Sequence, residues 1–235
     1  MNHIDKIGYK QYGEYTKEVP NDGYMVEMSP NYYHSDCYPD EYCREVNTMI
    51  RINNNDEGYF DFSKNMIDIG SHVGTYDFIL KFNHFYMFDG NKEYCVISEF
   101  NMLLQNKLDR CNCYNVLLSD EIEDIKYNGY QTDYYNIYDI ENTNLCKTQI
   151  LDHYNLNNIG FIKIDVEGFE YKVLKGGLGT IIRNNYPPIL FELWPIGHFG
   201  MTEELRNQLQ NFLEDLGYTI LWEWGDFETH LAIHN

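Results

Sequence analysis

From residue 64 onward, short apolar runs alternate with longer stretches whose apolar residues recur every three or four positions. That is the pattern of strands and helices wound into an α/β fold over a largely parallel sheet. Residues 66–69 read as a strand, 70–74 as a turn and 75–82 as a helix. Residues 85–88 read as the next strand, ending at Asp89-Gly90, and 92–108 as a helix with Val96, Phe100, Leu103 and Leu104 at helical spacing. Residues 115–118 predict a third strand, closed by Ser119-Asp120, whereas 121–147 are polar, Tyr-rich and ambiguous.

Order returns at 159–164, a strand ending at Asp165. The helix after it begins near Gly168 and should stop at Gly176-Gly177, since glycine suits a left-handed C-cap. Residues 188–191 form a strand that ends at Glu192, and 203–216 a helix with Leu205, Leu209, Phe212 and Leu216 on one face. Residues 218–222 and 229–233 then make a closing antiparallel hairpin around Trp224-Gly225-Asp226.

Residues 1–60 differ. They are Tyr-rich, carry turn signals at residues 21–23, 29–30 and 53–58, and show no long helical period. They read as an N-terminal extension, with one short helix near 41–50, packed on a main domain of 61–235. Internal repeats and Pro/Gly/Ser-rich linkers are absent, so one core is expected.

Composition narrows the partners. Hydrophobic residues at 43% and aromatics at 16% are enough to bury an interior, which excludes global disorder. Against 37 Asp plus Glu stand 17 Lys plus Arg, a net charge of -20, and no cationic cluster meets a polyanion. Nucleic acid and anionic membranes are therefore not expected as partners. No apolar run approaches the roughly 18 residues of a membrane helix, and residues 1–10 lack a signal-peptide core, so a soluble, cytoplasmic protein is expected. The 6 cysteines contain no CxxC pair, and Cys111-Asn112-Cys113 is the nearest approach to one, so they read as reduced structural thiols. None of the 26 asparagines opens an Asn-x-Ser/Thr acceptor, which fits a reducing compartment.

Ligands of an open α/β sheet bind outside the carboxyl ends of the strands, where strand order reverses. Asp68, Asp89, Asp120, Asp165 with Glu167, and Glu192 all sit at predicted strand ends. One such acid alone reads as a helix cap or a solvated charge; their serial placement reads as a site. Asp68 through Gly74 joins strand to helix with glycines four apart, which lets a ligand approach the backbone and exposes helix N-terminal amides. Ser71 and His72 stand where a dinucleotide loop needs its second glycine, and Asp68 would repel a pyrophosphate but tolerate an ammonium or sulfonium. Asp89 follows about twenty residues later, placed to accept ribose hydroxyls. A nucleoside with a cationic tail fits better than NAD.

The runs Asp68-Ile69-Gly70-Ser71-His72-Val73-Gly74-Thr75-Tyr76, Leu117-Leu118-Ser119-Asp120, Ile150-Leu151-Asp152, Phe161-Ile162-Lys163-Ile164-Asp165-Val166-Glu167-Gly168-Phe169-Glu170 and Pro188-Ile189-Leu190-Phe191-Glu192 closely resemble the FkbM family of S-adenosylmethionine-dependent methyltransferases. The resemblance implies a Rossmann-like class I methyltransferase fold, a seven-stranded mostly parallel sheet with a C-terminal antiparallel hairpin, and a hydroxyl acceptor on a sugar or natural product. It also implies that Asp68, Gly70, Ser71, His72 and Gly74, with the adjoining Thr75, hold the methionine portion of S-adenosylmethionine. Asp89, with Gly90 and Asn91 after it, falls on the ribose contact, Ser119 and Asp120 near adenine, and Asp165 and Glu167 near the transferred methyl and the acceptor. The family commonly has Ala-Asn in place of Ser71-His72 and Glu-Pro in place of Asp89-Gly90, so the ribose contact here is shorter by a methylene and its loop more flexible.

Methyl transfer to oxygen needs donor carbon and acceptor oxygen in line and help in removing the acceptor proton. Asp165 is the first candidate for that base, Glu167 the second and Glu192 the third. Glu167 reads equally well as compensation of a helix dipole, and Lys163 as a partner of Asp165 two positions away on the strand. His198, in the Gly/Pro loop after the strand at 188–191, is a further candidate base, although a loop histidine is ordinarily only solvated. Asp165, Glu192 and His198 are a donor set a divalent cation accepts, but no ligand spacing demands one and no metal is expected. Tyr24, Tyr32, Tyr33, Tyr38 and Tyr42 could close over a small-molecule or glycan acceptor by stacking on it. The expected function is O-methylation of a sugar or glycosylated small molecule; the competing one is a silent binding or scaffold protein that keeps the fold without the cofactor.

Overall fold

Two apolar runs, residues 65–69 and 159–164, are buried at every position, as the central strands of a parallel sheet must be. The computed structural model describes residues 16–19, 23–26, 39–127, 144–197, 201–225 and 228–234. In chain order, β1 (Thr16–Val19) and β2 (Gly23–Val26) form an antiparallel pair, followed by α1 (Pro39–Asn54). Then come β3 (Asn65–Ile69), α2 (Thr75–Ile79), β4 (Phe85–Asp89), α3 (Lys92–Leu104) and β5 (Cys111–Asn115). A small sheet follows, made of β6 (Leu117–Leu118), β7 (Asp124–Tyr127) and β8 (Asn144–Gln149). The chain continues through β9 (Ile159–Ile164), α4 (Glu170–Gly176), α5 (Leu178–Arg183) and β10 (Ile189–Glu192). It closes with α6 (Glu203–Asp215), β11 (Tyr218–Leu221) and β12 (Thr229–His234).

The main sheet has the order β11-β12-β10-β9-β3-β4-β5. Only β12 runs against its neighbours, because the closing hairpin inserts its second strand between β10 and β11. The order reverses between β3 and β9, so the carboxyl ends of those two strands flank the crevice where a ligand belongs. Alternation along the strands sends Met66, Met87 and Phe161 to a layer covered by α1, α2 and α3. The same alternation sends Ile67, Phe88, Ile162 and Phe191 to a layer covered by α4, α5 and α6.

Four expectations change. The third strand of the main sheet is Cys111–Asn115 rather than 115–118, since β5 pairs with β4 from Phe85↔Cys111 to Asp89↔Asn115 and Leu117–Leu118 turns away to pair with β8. The buried face of α3 is Tyr94, Cys95, Ile97, Ser98, Asn101 and Met102, and Val96 is exposed; the buried Asn101 donates to the Val73 carbonyl. The helix does stop at Gly176-Gly177, as expected, but without a left-handed cap, since Gly177 has φ -109 and α5 begins at the next residue. Close approach explains these glycines instead: a Cβ on Gly176 would fall on the Ser119 carbonyl, and one on Gly177 would lie 2.8 Å from Leu151. Finally, the helix expected near 41–50 is the longer Pro39–Asn54.

Cys95, Cys111, Cys113 and Cys146 are free thiols. Burial pushes Cys111 up to about 11, the direction of an unreactive structural thiol. Tyr24 lies on β2 and Tyr42 on α1, while Tyr32, Tyr33, Tyr38, His198 and Asp226 lie outside the described residues.

Candidate active site

The turn after β3 is wound by three left-handed residues, Gly70, His72 and Gly74. The amides of Gly70, Ser71, His72 and Gly74 are satisfied inside the protein. Gly70 and Ser71 donate to the Phe88 carbonyl at 2.9 and 3.2 Å, Gly74 donates to the Ser71 carbonyl at 2.7 Å, and His72 donates to Asp89 Oδ2 at 2.9 Å. The positive φ angles fold the loop back on the end of β4, and the amides are satisfied there. Among the described residues the Ser71 hydroxyl, on a residue 4% exposed, has no hydrogen-bond partner and can meet a ligand group. Thr75 opens α2, and the half-buried His72 ring meets the edge of Tyr94 at 4.2 Å. Burial holds His72 down to about 4, with the Lys163 charge adding to the effect, so its imidazole is neutral near pH 7.

Asp89 is the organising acid of the second strand end. Besides His72, it accepts the Asn91 amide at 2.7 Å, and Asn91 in turn caps α3 by accepting from Glu93. Asn115 ties the same corner by donating to the carbonyls of Asp89 and Gly90. Burial raises the Asp89 carboxyl to about 7 despite these two amides. Each carboxylate oxygen keeps a second lone pair, the capacity that two ribose hydroxyls require. Ser119 is wholly buried and Asp120 is ion-paired to Lys175 at 2.6 Å; both lie where β6 meets α4, since the Ser119 carbonyl abuts Gly176.

Asp68 is wholly buried under the loop rather than on an open face. Its register partner across the sheet is Lys163, whose ammonium lies 3.4 Å from Asp68 Oδ1 and donates to Asp165 Oδ2 and to the Gly70 carbonyl, both at 3.1 Å. The strand alternation that sets Lys163 and Asp165 on one face thus makes a real pair.

Asp165, Glu167 and Glu192 each bring a carboxylate oxygen to within 4.8 Å of the other two. Glu167 adopts a left-handed backbone, φ 54, and accepts from Trp194 Nε1 at 3.1 Å. That conformation is held by Glu170, whose Oε1 accepts from the amides of Val166 and Gly168, both at 3.1 Å. Burial first, and then the nearby Asp165 and Glu167, raise Glu192 well above the usual carboxylate range; its Oε2 has no partner. Such an all-oxygen set has the chemistry of a hard divalent cation site and equally that of a proton acceptor. The residues that sequence reading passes over are Glu170, Asn91 as a cap, Trp194 as a hydrogen-bond donor, and Asp77. Only Glu170 carries a signal, an acid at the start of a helix four residues after the loop it ties.

These raised acids fix a pH dependence. Asp89 and Glu170, each raised to about 7, bind a proton in the folded chain that the unfolded chain has already released above about pH 4.5. Their contribution to stability is therefore full at low pH and falls as pH rises through 7. His72, held at about 4, acts oppositely below pH 6.5, where the unfolded chain takes up the proton first. Calorimetric melting is expected to be several degrees higher at pH 6 than at pH 8, and a higher Tm at pH 8 would contradict the assignment.

The family model of the methyltransferase FkbM domain matches residues 7–220. The chain belongs to the FkbM methyltransferase family. A solved FkbM methyltransferase from Methylobacillus flagellatus KT is similar over 74% of this chain and 44% of its own, at 17% identity and a TM-score of 0.55. This FkbM chain thus spans less than half the length of that relative. A putative rRNA-methylase from Clostridium thermocellum has a TM-score of 0.50 at 9% identity, covering 79% of this chain and 93% of its own, a likeness of fold alone. No curated protein matches the sequence. S-adenosylmethionine is the methyl donor of this family and fold, and the residues around the switch point suit it: a buried acid with spare acceptor capacity at Asp89 and, among the described residues, an unpartnered hydroxyl at Ser71 and no cluster of cations for a pyrophosphate. Among the described residues, no helix is long and apolar enough to cross a membrane.

Proposed function

We propose that this FkbM protein transfers a methyl group from S-adenosylmethionine to a hydroxyl of a sugar or glycosylated small molecule. The observation that carries the reading is the contact between the two halves of the site: Gly70 lies against the Asp165 carbonyl so closely that a Cβ has no room. The cofactor loop and the acid cluster of Asp165, Glu167 and Glu192 therefore share one backbone junction. S-adenosylmethionine supplies an electrophilic methyl carbon on a sulfonium. The protein's part is to hold an acceptor hydroxyl in line with that carbon and to receive its proton as the new C–O bond forms.

Asp165 is the proposed proton acceptor, with Glu167 beside it, oriented by Trp194, and Glu192 next to it, its carboxyl raised well above the usual range by burial and its acidic neighbours. The net charge of -20 and the acid cluster favour a neutral, polyhydroxylated acceptor over RNA. The test is mass-spectrometric detection of methylated product from a panel of deoxysugars and nucleotide sugars, run on the wild type and on Asp165→Asn. Turnover should fall about 10²- to 10⁴-fold in Asp165→Asn while cofactor affinity stays within a few-fold. Full turnover by that variant would remove Asp165 from the role of base.

A further inference from the structure

The most buried cation of the site belongs to Lys163. It is 7% exposed, and its three ammonium hydrogens face three acceptors, the Gly70 carbonyl, Asp165 Oδ2 and Asp68 Oδ1. The Tyr76 ring, 5.1 Å away, covers its remaining side. Two of these acceptors belong to opposite halves of the site, the cofactor loop on β3 and the acid after β9. Below them, Asp68 and Asp77 are both 0% exposed, and apart from the Lys163 ammonium 3.4 Å from Asp68 Oδ1 their carboxyl oxygens take no hydrogen bond from another group among the described residues.

Two carboxyls this deeply buried resist carrying a charge each, and burial together with the Asp68 charge raises Asp77 well above the usual carboxylate range. Of the other charged groups around the pair, Lys107 places its ammonium on the backbone carbonyls of Asp77, Phe78 and Leu80, where the Asp77 charge also acts on it, and His72 is neutral. Asp165 is met by Lys163 itself, and Asp89 lies beyond the loop.

We infer that Lys163 is a positioning residue for methyl transfer: its ammonium joins the cofactor loop at Gly70 to the acceptor-side carboxylate of Asp165, with the buried Asp68 carboxyl beneath it. The inference rests on the proposed placement of Asp165 beside the transferred methyl. Lys163 then does two things. It fixes the Gly70 carbonyl, and with it the loop that binds either form of the cofactor. It also neutralises Asp165, so the site does not hold the sulfonium of the donor more tightly than the neutral thioether of the product merely through an unpaired acid.

Titration calorimetry with S-adenosylmethionine and S-adenosylhomocysteine separates these effects, alongside thermal melts of each sample. In Lys163→Met, S-adenosylhomocysteine should weaken about tenfold because the loop is loosened, while S-adenosylmethionine weakens only about twofold because Asp165 is left unpaired. The preference for the donor over the product therefore rises about fivefold. Lys163→Arg keeps the charge, so its preference should stay at the wild-type value even where both affinities fall. A folded Lys163→Met that loses both ligands by the same factor, or neither, would overturn the inference and leave Lys163 a purely structural residue. If Lys163→Met does not fold, a changed preference in Lys163→Arg overturns it, and so does failure of both variants to fold. Failure of the wild type to bind either ligand is a different result, since it rejects the cofactor site itself.

Discussion

Gly70→Ala is expected to destabilise the domain by more than about 3 kcal/mol and to abolish cofactor binding in whatever remains folded. Gly70 has φ +74, a conformation that costs an alanine of order 1 kcal/mol by itself. The larger cost is steric. A Cβ there would fall on the Asp165 carbonyl oxygen, with Val166 Cγ1 at 3.3 Å. Neither wall can retreat: Asp165 is held by its amide to the Ile69 carbonyl at 2.9 Å, and Gly70 by its own amide to Phe88. Relief requires β3 and β9 to part at the crevice proposed to bind the cofactor. Gly58 provides the control, since it has φ +75 and a Cβ placed on it would meet nothing within 4 Å. Gly58→Ala should lose only the conformational increment, about 1 kcal/mol, so thermal melts of the two variants separate strain from collision. Equal melting temperatures would show that the contact with Asp165 yields.

Asp89→Ala is expected to weaken S-adenosylmethionine by about 100-fold or more. The variant loses the proposed ribose acceptor and also orphans the amides of His72 and Asn91, which are now satisfied at 2.9 and 2.7 Å. Leaving a buried donor unpaired costs about 1–3 kcal/mol, and these two amides shape opposite sides of the pocket, the glycine loop and the start of α3. Asp89→Asn separates the two roles. It keeps one acceptor oxygen, so the loop should survive in part while the two ribose hydroxyls compete for what is left. Calorimetry should rank the affinities wild type, Asn, Ala, and an alanine variant that binds like the wild type would show that Asp89 serves the loop alone.

Much of this architecture is legible in the sequence because a doubly wound sheet is written in short apolar runs, and those at 66–69, 85–88, 159–164 and 188–191 are buried as strands. Strand β5 escapes that reading for the same reason. Its run Cys111-Asn112-Cys113-Tyr114-Asn115 is an edge strand, only half-buried, and edge strands lack the apolar continuity that marks central ones. The apolar Val116-Leu117-Leu118 beside it imitates the strand instead. The acids at strand ends can be named from the sequence but not their partners, since pairing depends on register. Asp68 faces Lys163 across nearly a hundred residues only because β3 lies next to β9. Backbone-directed roles are still less visible. The left-handed conformation of Glu167, and the carboxylate of Glu170 that supports it, follow from a turn that no residue type announces.

The central claim is that the switch point between β3 and β9 binds S-adenosylmethionine. Calorimetric titration of the wild-type protein with S-adenosylmethionine and S-adenosylhomocysteine tests it most directly. Saturable one-to-one binding of both, in the micromolar range and lost in Asp89→Ala, is the predicted result. A cooperatively folded wild type that binds neither would contradict it and leave a methyltransferase fold put to another use.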